Sequence, residues 1–304
     1  MQKSLVIQRR PGIGDLCLFL PFIHKIAKNL NFKKIDLITS SRSKSNQILY
    51  DDPYVDNIIN YENFKGINGS FKLINFLRKN KYSNIFIMHY GIRYKILAKI
   101  AGIKKIYSYS NLKTSNSIVD DITNFTNLWT KDNSKHICKI YFNNHENKKN
   151  QIVIGIGGSG KNKKWSTKNY IDLIKKISGV SNSSFLIACG KDEAEDARLI
   201  CKALKKNDLS IYHTSDDNVK TVIDKIRGSK MFVGNDTGFM HISGLLGIKS
   251  YGIFGDTPTN YCSYNDIIYP LTPKKCHDVT HGSMMMEKIN VDDVFSSIER
   301  DLIK

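Results

Sequence analysis

Short runs of apolar, β-branched residues alternate with longer segments of helical period along the whole chain. This alternation is typical of βα units, in which parallel strands form a sheet covered by helices. It stops at residues 143–150, a polar stretch without a periodic pattern that we interpret as a linker, and then restarts. The sequence therefore predicts an α/β protein with two doubly wound domains, residues 1–146 and 147–304.

The periodic segments give approximate bounds for each element. The predicted strands are 5–8, 35–39, 57–61, 85–89 and 105–109 in the first domain, and 151–156, 185–189, 231–234 and 249–254 in the second. The predicted helices are 15–30, 43–50, 70–80 and 94–101 in the first domain, and 168–178, 192–204, 219–227, 239–246 and 291–303 in the second. An alternative placement packs the final helix, 291–303, back on the first domain.

The net charge of +18 is divided unequally between the two halves of the chain. Residues 1–150 hold 25 basic and 10 acidic residues, whereas residues 151–304 hold 21 and 18. Base composition of the gene is one explanation for the excess of basic residues, since only 8 of the 46 are Arg. It would, however, raise the net charge of both halves alike. We therefore expect the first domain to meet an acidic partner. Nucleic acid is not expected, because the basic residues are mainly dispersed Lys without interleaved aromatics.

Several features predict a cytoplasmic protein. The chain has no run of 18 apolar residues that would form a membrane-spanning helix. The apolar run at Leu5 ends at Arg9 without a small-residue cleavage site, so it predicts a first strand and not a signal peptide. The six cysteines are scattered singly, without a C-x-x-C pair, as is typical of reduced thiols in the cytosol.

One cluster resembles a set of metal ligands. It consists of Cys276, His277, Asp278 and His281. The spacing matches no standard zinc pattern, so we predict no metal site there.

Ligands of open α/β sheets bind at the loops that follow the carboxyl ends of the strands. The loop after the first strand contains Gly12 and Gly14, which allow a tight turn, and Asp15, which falls at the start of a helix. A carboxylate at this position is suited to contact a ligand. Capping of the helix is the alternative interpretation, because Asp is a favoured cap.

The loop after the first strand of the second domain combines small residues with lysines. It includes Gly158, Ser159 and Lys163. Small residues expose backbone N–H groups and lysines add positive charge, and together these predict an anion site. It is not a P-loop, since GxxxxGK[ST] is absent. A solvated Gly-Lys loop is the alternative.

Two further loops of the second domain carry candidate ligand contacts. Glu193 follows a strand, where an acid can accept hydrogen bonds from a ribose or simply stabilise the helix dipole. Asp236, Thr237 and Gly238 lead from a strand into a helix, and His241 lies in the following turn. The N–H groups at such a helix start can bind a phosphate.

The fourth loop also carries a family resemblance. Its pattern Asn-Asp-Thr-Gly-x-Met-His, followed by residues 251–257, resembles the signature of glycosyltransferase family 9, the ADP-heptose:lipopolysaccharide heptosyltransferases. Three other landmarks occur in the family's order: Arg9-x-x-x-x-Gly14-Asp15 with Pro21, Lys163-Lys164-Trp165, and Ile289-x-Val291 with Val294. The chain departs from the family at Ser166 and Phe239, where Pro is common.

The resemblance implies a GT-B fold, in which two Rossmann-like domains face each other across a cleft. The first would bind the acceptor and the second the nucleotide sugar. Asp15 is similar to the family's catalytic base, and Gly12, Gly14 and Gly158 would shape the loops. The residues similar to its donor-binding positions are Ser159, Lys163, Glu193, Asp236, Thr237, Gly238 and His241.

The resemblance also implies a bacterial, inverting and metal-independent heptosyltransferase. It would move a heptose from ADP-heptose to an inner-core acceptor of lipopolysaccharide or lipooligosaccharide, without a cofactor. The expected partners are the nucleotide sugar, an acidic glycolipid acceptor and, peripherally, the inner face of the inner membrane. A GT-B transferase or epimerase acting on a different nucleotide sugar is the alternative.

Overall fold

The computed structural model describes residues 3–108, 117–143, 147–205, 209–274 and 278–302. The chain divides into two compact units, Met1–Asn143 and Asn144–Lys304. The predicted linker spans this division, and its residues 144–146 lie outside the described residues. Each unit consists of one parallel sheet with helices around it.

The first unit contains a five-stranded parallel sheet of order β3-β2-β1-β4-β5. Its strands are β1 Lys3–Ile7, β2 Ile35–Thr39, β3 Val55–Asn60, β4 Tyr82–Ile87 and β5 Lys105–Ser108. The central strand β1 is buried on both faces, which explains its continuous run Leu5-Val6-Ile7. All five strands were predicted, and residue 109 of the predicted last strand lies outside the described residues.

Among the described residues of this unit, five helices lie around the sheet: α1 Ile13–Lys28, α2 Ser45–Ile48, α3 Gly66–Asn80, α4 Arg93–Ile100 and α5 Ile118–Thr130. The helix α5 was not predicted, because its Asn and Thr residues are weak helix formers. Ser117 caps it by accepting the Asp120 N–H at 3.3 Å, and its buried face carries Val119, Ile122 and Phe125. This helix packs against α1, so tertiary packing outweighs its low propensity.

The second unit contains a six-stranded parallel sheet of order β11-β10-β9-β6-β7-β8. Its strands are β6 Gln151–Gly155, β7 Ser184–Ala188, β8 Ile211–His213, β9 Met231–Asn235, β10 Ser250–Ile253 and β11 Ile268–Leu271. The two edge strands, β8 and β11, were not predicted. The first has three residues, and the second contains Pro270, which is tolerated at a sheet edge but breaks the usual strand pattern.

The helices of this unit are α6 Thr167–Ser178, α7 Ala194–Leu204, α8 Val219–Ile226, α9 Gly238–Leu245 and α10 Val291–Leu302. The last of them places Val294, Ile298 and Leu302 in the same buried cluster as Trp165. Its Asp292 Oδ1 also lies 2.9 Å from Lys176 Nζ of α6. The final helix therefore packs on the second unit.

Both sheets reverse their strand order once. The reversal falls between β1 and β4 in the first unit and between β6 and β9 in the second. Such a switch point opens a crevice at the carboxyl ends of the strands, where α/β proteins bind ligands. The loops that carry Asp15, Lys163 and Asp236 follow three of these four strands.

Within the described ranges, no helix is both long and apolar enough to cross a membrane. The five cysteines that the structure describes are buried free thiols. They are Cys17, Cys138, Cys189, Cys201 and Cys262.

Candidate functional site

The side chain of Asn235, the last residue of β9, holds the loops of the second switch point together. It is fully buried. Its Nδ2 donates to the carbonyl oxygens of Ile156 at 3.0 Å and Gly157 at 2.9 Å. Its Oδ1 accepts the N–H of Trp165 at 3.1 Å and lies 2.7 Å from the hydroxyl of Tyr170. A buried amide with four partners fixes both ends of the loop that follows β6.

Trp165 and Ser166 fix the far end of that loop. The Trp165 indole N–H donates to the carbonyl of Ile289 at 2.7 Å, which ties the loop to the segment before α10. Ser166 is the N-cap of α6, and its hydroxyl accepts the Asn169 N–H at 3.1 Å. Its φ of −68° is one that proline also adopts, so this backbone position would also accept the proline that is common in the family.

The start of α9 offers a site for an anion. Thr237 is the N-cap of this helix, and its Oγ1 is buried without a hydrogen-bond partner. Gly238 and Phe239 form the first turn, whose N–H groups have no partner within the helix. These donors and the helix dipole favour a negatively charged ligand. Phe239 is the second residue at which the chain departs from the family, and it lies in α9 without interrupting this helix.

Charged side chains gather beside this helix start. His241 is buried, its Nδ1 lies 2.8 Å from the Tyr264 hydroxyl, and its Nε2 lies 3.5 Å from Asp236 Oδ1. Burial raises the pKa of Asp236, but contacts with His241, Lys163 and Thr257 outweigh it, so the pKa lies below its ordinary value. The Asp236 carboxylate therefore lies beside His241 near the N-terminus of α9, where the positive charge of Lys163 also acts on it.

Glu193 lies on the loop after β7, close to the glycines of the loop that follows β6. Its Oε2 accepts the Gly190 N–H at 3.1 Å, and its Oε1 lies 2.8 Å from Lys164 Nζ. A Cβ added to Gly157 would lie 3.7 Å from Glu193 Oε2 and 3.8 Å from Thr237 Cγ2. Glu193 therefore stabilises its own helix start, the alternative considered from the sequence, and also lies beside the anion site.

The loop that follows β6 brings its lysines close to its glycines. A Cβ added to Gly158 would lie 2.9 Å from Lys164 Cγ and 3.1 Å from the carbonyl oxygen of Lys163. A side chain there would therefore push the lysine segment away. Ser159 is exposed on the same loop.

Asp15 lies at the switch point of the first unit. It is the third residue of α1, because this helix begins two residues earlier than predicted. Its Oδ2 accepts the Gly12 N–H at 3.0 Å, and its Oδ1 lies 3.5 Å from Arg10 Nη1. About a quarter of the side chain is exposed, at 25%. Asp15 therefore closes the start of α1 with one oxygen and presents the other beside a cation at the surface.

The two glycines of this loop differ in their surroundings. A Cβ added to Gly12 would lie 2.9 Å from Asp15 Oδ2, so the hydrogen bond to the carboxylate depends on a residue without a side chain. Gly14 lies within the first turn of α1. It is not among the glycines with a positive φ.

His89 and two arginines complete this edge of the first sheet. His89 follows β4, which pairs directly with β1. Burial, together with the positive charges of Arg9 and Arg10, lowers the pKa of His89 to about 4. The Arg9 guanidinium also lies 5.8 Å from the centroid of the Tyr61 ring. The edge therefore carries two cations and a neutral imidazole, which suits an anionic ligand.

The structure brings together most of the predicted residues of the second unit. Asp236, Thr237, Gly238 and His241 lie at the start of α9, and the positive charge of Lys163 acts on Asp236. No sequence pattern predicted the contacts that support them or the position of His89. These contacts are made by Asn235, Tyr170, Thr257 and Tyr264. Asn235 and His89 had one available signal, since each is a polar residue at the end of a buried strand.

No group of three or more His, Cys, Asp or Glu side chains among the described residues is arranged to hold a metal ion. Cys276 and His277 of the cluster considered above lie outside the described residues. Its His281 is exposed, with Nε2 3.3 Å from the Tyr261 hydroxyl.

A family model matches about half of the chain. Residues 127–277 match the model of glycosyltransferase family 9 (heptosyltransferase), which confirms the resemblance predicted from the sequence. A lipooligosaccharide heptosyltransferase 2 of Campylobacter jejuni is 29% identical over 114 residues, which are 37% of this chain and 36% of that relative. The chain thus matches about a third of the length of this curated relative.

Solved structures resemble the whole chain. The E. coli ADP-heptose lipopolysaccharide heptosyltransferase II has a TM-score of 0.75 at 15% identity, with 99% of both chains covered. An E. coli heptosyltransferase with ADP has a TM-score of 0.74 at 13% identity, with 99% of this chain and 100% of that chain covered. The predicted GT-B fold, with two Rossmann-like domains, is confirmed.

The lowered pKa of His89 gives a testable pH dependence. Between pH 4 and the ordinary value of 6.5, the unfolded chain binds a proton at His89 that the folded chain does not. The free energy of unfolding should therefore rise with pH across this window, and this rise should be smaller in His89→Gln. Thermal melting of both proteins from pH 4.5 to 7 measures it. His136, whose pKa burial also lowers to about 4, titrates in both proteins and cancels. Parallel melting profiles would contradict this account of His89.

Proposed function

Since this chain belongs to glycosyltransferase family 9, we propose that it transfers a heptose from ADP-heptose to an inner-core acceptor of lipopolysaccharide or lipooligosaccharide. The observation that carries this proposal is the anion site at the start of α9. There an unpartnered Thr237 hydroxyl, a helix N-terminus and Lys163 converge. This combination suits the diphosphate of a nucleotide sugar.

In this proposal the departing diphosphate is stabilised by groups of the protein. Breaking the bond between the anomeric carbon and the phosphate leaves additional negative charge on the diphosphate. The Gly238 N–H, the Thr237 hydroxyl and the Lys163 ammonium would stabilise that charge in place, which lowers the barrier without a metal ion. Asp236 would position Lys163 and His241, and Ser159 and Glu193 would contact the phosphates and the ribose.

Asp15 serves as the base in this proposal. It takes the proton of the acceptor hydroxyl while that oxygen attacks the anomeric carbon from the side opposite the diphosphate, so the anomeric configuration inverts. A carboxylate is a weak base towards an alcohol. In an oxocarbenium-like transition state, however, the proton need leave only late. Gly12 holds one carboxylate oxygen, which leaves the other for the acceptor.

The acceptor in this proposal is an acidic glycolipid, bound at the basic edge of the first sheet. Arg9 and Arg10 supply the positive charge there, beside Asp15. A lipid-linked acceptor places the protein in the cytoplasm, in peripheral contact with the inner face of the inner membrane.

The donor assignment is tested by ADP binding to Lys163→Ala. A hydrogen bond to a charged group contributes about 1.5–3 kcal/mol, so the dissociation constant measured by calorimetry should rise roughly tenfold or more. Lys168→Ala is the matched control, since Lys168 is exposed in the first turn of α6. This control should bind ADP like the wild type, and both variants should melt like it. Equal affinity in all three proteins would remove Lys163 from the donor site.

The role of Asp15 is tested by two substitutions. Asp15→Asn keeps an oxygen that accepts the Gly12 N–H, so its melting temperature should change little. Its turnover should nevertheless fall by roughly 10²- to 10⁴-fold, because a positioned proton acceptor is lost. ADP affinity should stay unchanged, since the proposed diphosphate contacts lie in the second unit.

Asp15→Ala is the control for structure, and it should lose about 0.5–2 kcal/mol of stability together with the closure of the helix start. Turnover numbers and melting temperatures of both variants separate the two roles. An Asn variant that retains more than about half of wild-type turnover would show that Asp15 only stabilises the helix.

A further inference from the structure

Five large apolar side chains are exposed together on two neighbouring helices of the first unit. They are Ile67 and Phe71 of α3, Ile92 directly before α4, and Ile96 and Ile100 within α4. Each of them exposes between 45% and 79% of its surface. We refer to these five residues as the α3–α4 face. Isolated exposed apolar residues are normal on a soluble protein, whereas a group of them marks an interaction surface.

The α3–α4 face is held in place by the fold. The opposite sides of the two helices are buried in one core cluster, through residues such as Leu73 and Leu97. Near the helix starts, Arg93 Nη2 donates to the Ser70 hydroxyl at 2.9 Å, and at the far ends Arg78 Nη2 donates to the Ile100 carbonyl at 2.9 Å. The helices therefore lie side by side in the same direction, with the α3–α4 face on their exposed sides.

Positive charge surrounds this surface. Residues 63–119, a stretch of 57 residues that contains both helices, hold 11 basic residues and no acidic residue. Much of the excess charge of the first half of the chain therefore lies in this segment. Exposed lysines occur before α3, within both helices and after α4: Lys65, Lys72, Lys79, Lys99 and Lys104.

We propose that the α3–α4 face docks on an anionic lipid bilayer. Apolar side chains flanked by lysines are the pattern of a surface that lies in the membrane interface, with the apolar residues inserted and the lysines at the headgroups. Each lysine near an anionic bilayer contributes about 1 kcal/mol. A second copy of this chain is a poorer occupant, because two surfaces without a single carboxylate would repel each other.

The position of the face fits a lipid-linked acceptor. The residues Ile67 and Ile92 lie at the helix starts, which in a parallel α/β sheet adjoin the carboxyl ends of the strands. Ile92 follows His89 by three residues, and His89 lies near Arg9 and Arg10. Docking through this face would therefore bring the headgroup region to the edge that carries Asp15. The link between docking and a lipid-linked acceptor rests on the proposed function, whereas the binding of the α3–α4 face to a bilayer does not.

The experiment measures binding of the full chain to vesicles by flotation. Vesicles of phosphatidylethanolamine and phosphatidylglycerol are compared with vesicles of phosphatidylcholine alone. The wild type should bind the anionic vesicles, and this binding should fall steeply with added salt because the Debye length shrinks. The double variant Phe71→Ser/Ile96→Ser should bind them about tenfold or more weakly, and so should Lys72→Glu/Lys99→Glu.

A matched control carries the same changes elsewhere. Leu128→Ser/Leu199→Ser replaces two apolar residues that are exposed by 69% and 52%, and it should bind anionic vesicles like the wild type. Equal binding by the control and by Phe71→Ser/Ile96→Ser would overturn the proposal. So would equal binding of the wild type to phosphatidylcholine.

Two further measurements separate this proposal from others. Light scattering tests for self-association. If the wild type formed a dimer and did not bind vesicles, and the Phe71→Ser/Ile96→Ser variant lost this dimer, the lipid assignment would be overturned in favour of a second copy. ADP affinity, measured on the same proteins, should be equal in wild type and variants. Failure of the wild type to bind ADP would count against the proposed function and leave the vesicle result intact.

Discussion

The buried amide of Asn235 is the contact on which the candidate donor site depends. Through four hydrogen-bond partners it joins the end of β9 to the loop after β6 and to α6. Lys163 lies on that loop, and Thr237 follows Asn235 by two residues. Removal of this side chain would leave several buried donors and acceptors unsatisfied, each at a cost of about 1–3 kcal/mol. The geometry of the site is therefore a consequence of packing, not of loop sequence alone.

Opposite charges are paired at both switch points. Asp236 contacts His241 and lies near Lys163, Glu193 contacts Lys164, and Asp15 lies beside Arg10. A basic side chain thus lies beside each of these three carboxylates. The bound diphosphate would add negative charge next to Lys163 and the start of α9, where donors remain available. The paired charges thus hold the shape of the site, while the donors at the start of α9 can still bind a ligand.

The sequence predicted the parts of this structure that follow from local pattern. The buried strands and most helices were predicted from the spacing of apolar residues, and the four polar loops from their glycines and polar residues. These patterns reflect interactions between residues a few positions apart. The edge strands β8 and β11 are short and half-exposed, and α5 is held by packing against α1, so none of them carries a strong local pattern. The contact between His241 and Tyr264 joins residues 23 positions apart, and no local signal marks Tyr264.

The most direct test is identification of the products by mass spectrometry, together with NMR spectroscopy of the new linkage and of the recovered nucleotide sugar. The full chain is incubated, in the presence of EDTA, with ADP-heptose and an inner-core lipopolysaccharide that lacks heptose. The account predicts an acceptor heavier by one heptose, an equal amount of ADP, and an inverted anomeric configuration in the new linkage. An unmodified acceptor with an epimerised or merely hydrolysed nucleotide sugar would contradict it. So would transfer that EDTA abolishes and Mg²⁺ or Mn²⁺ restores.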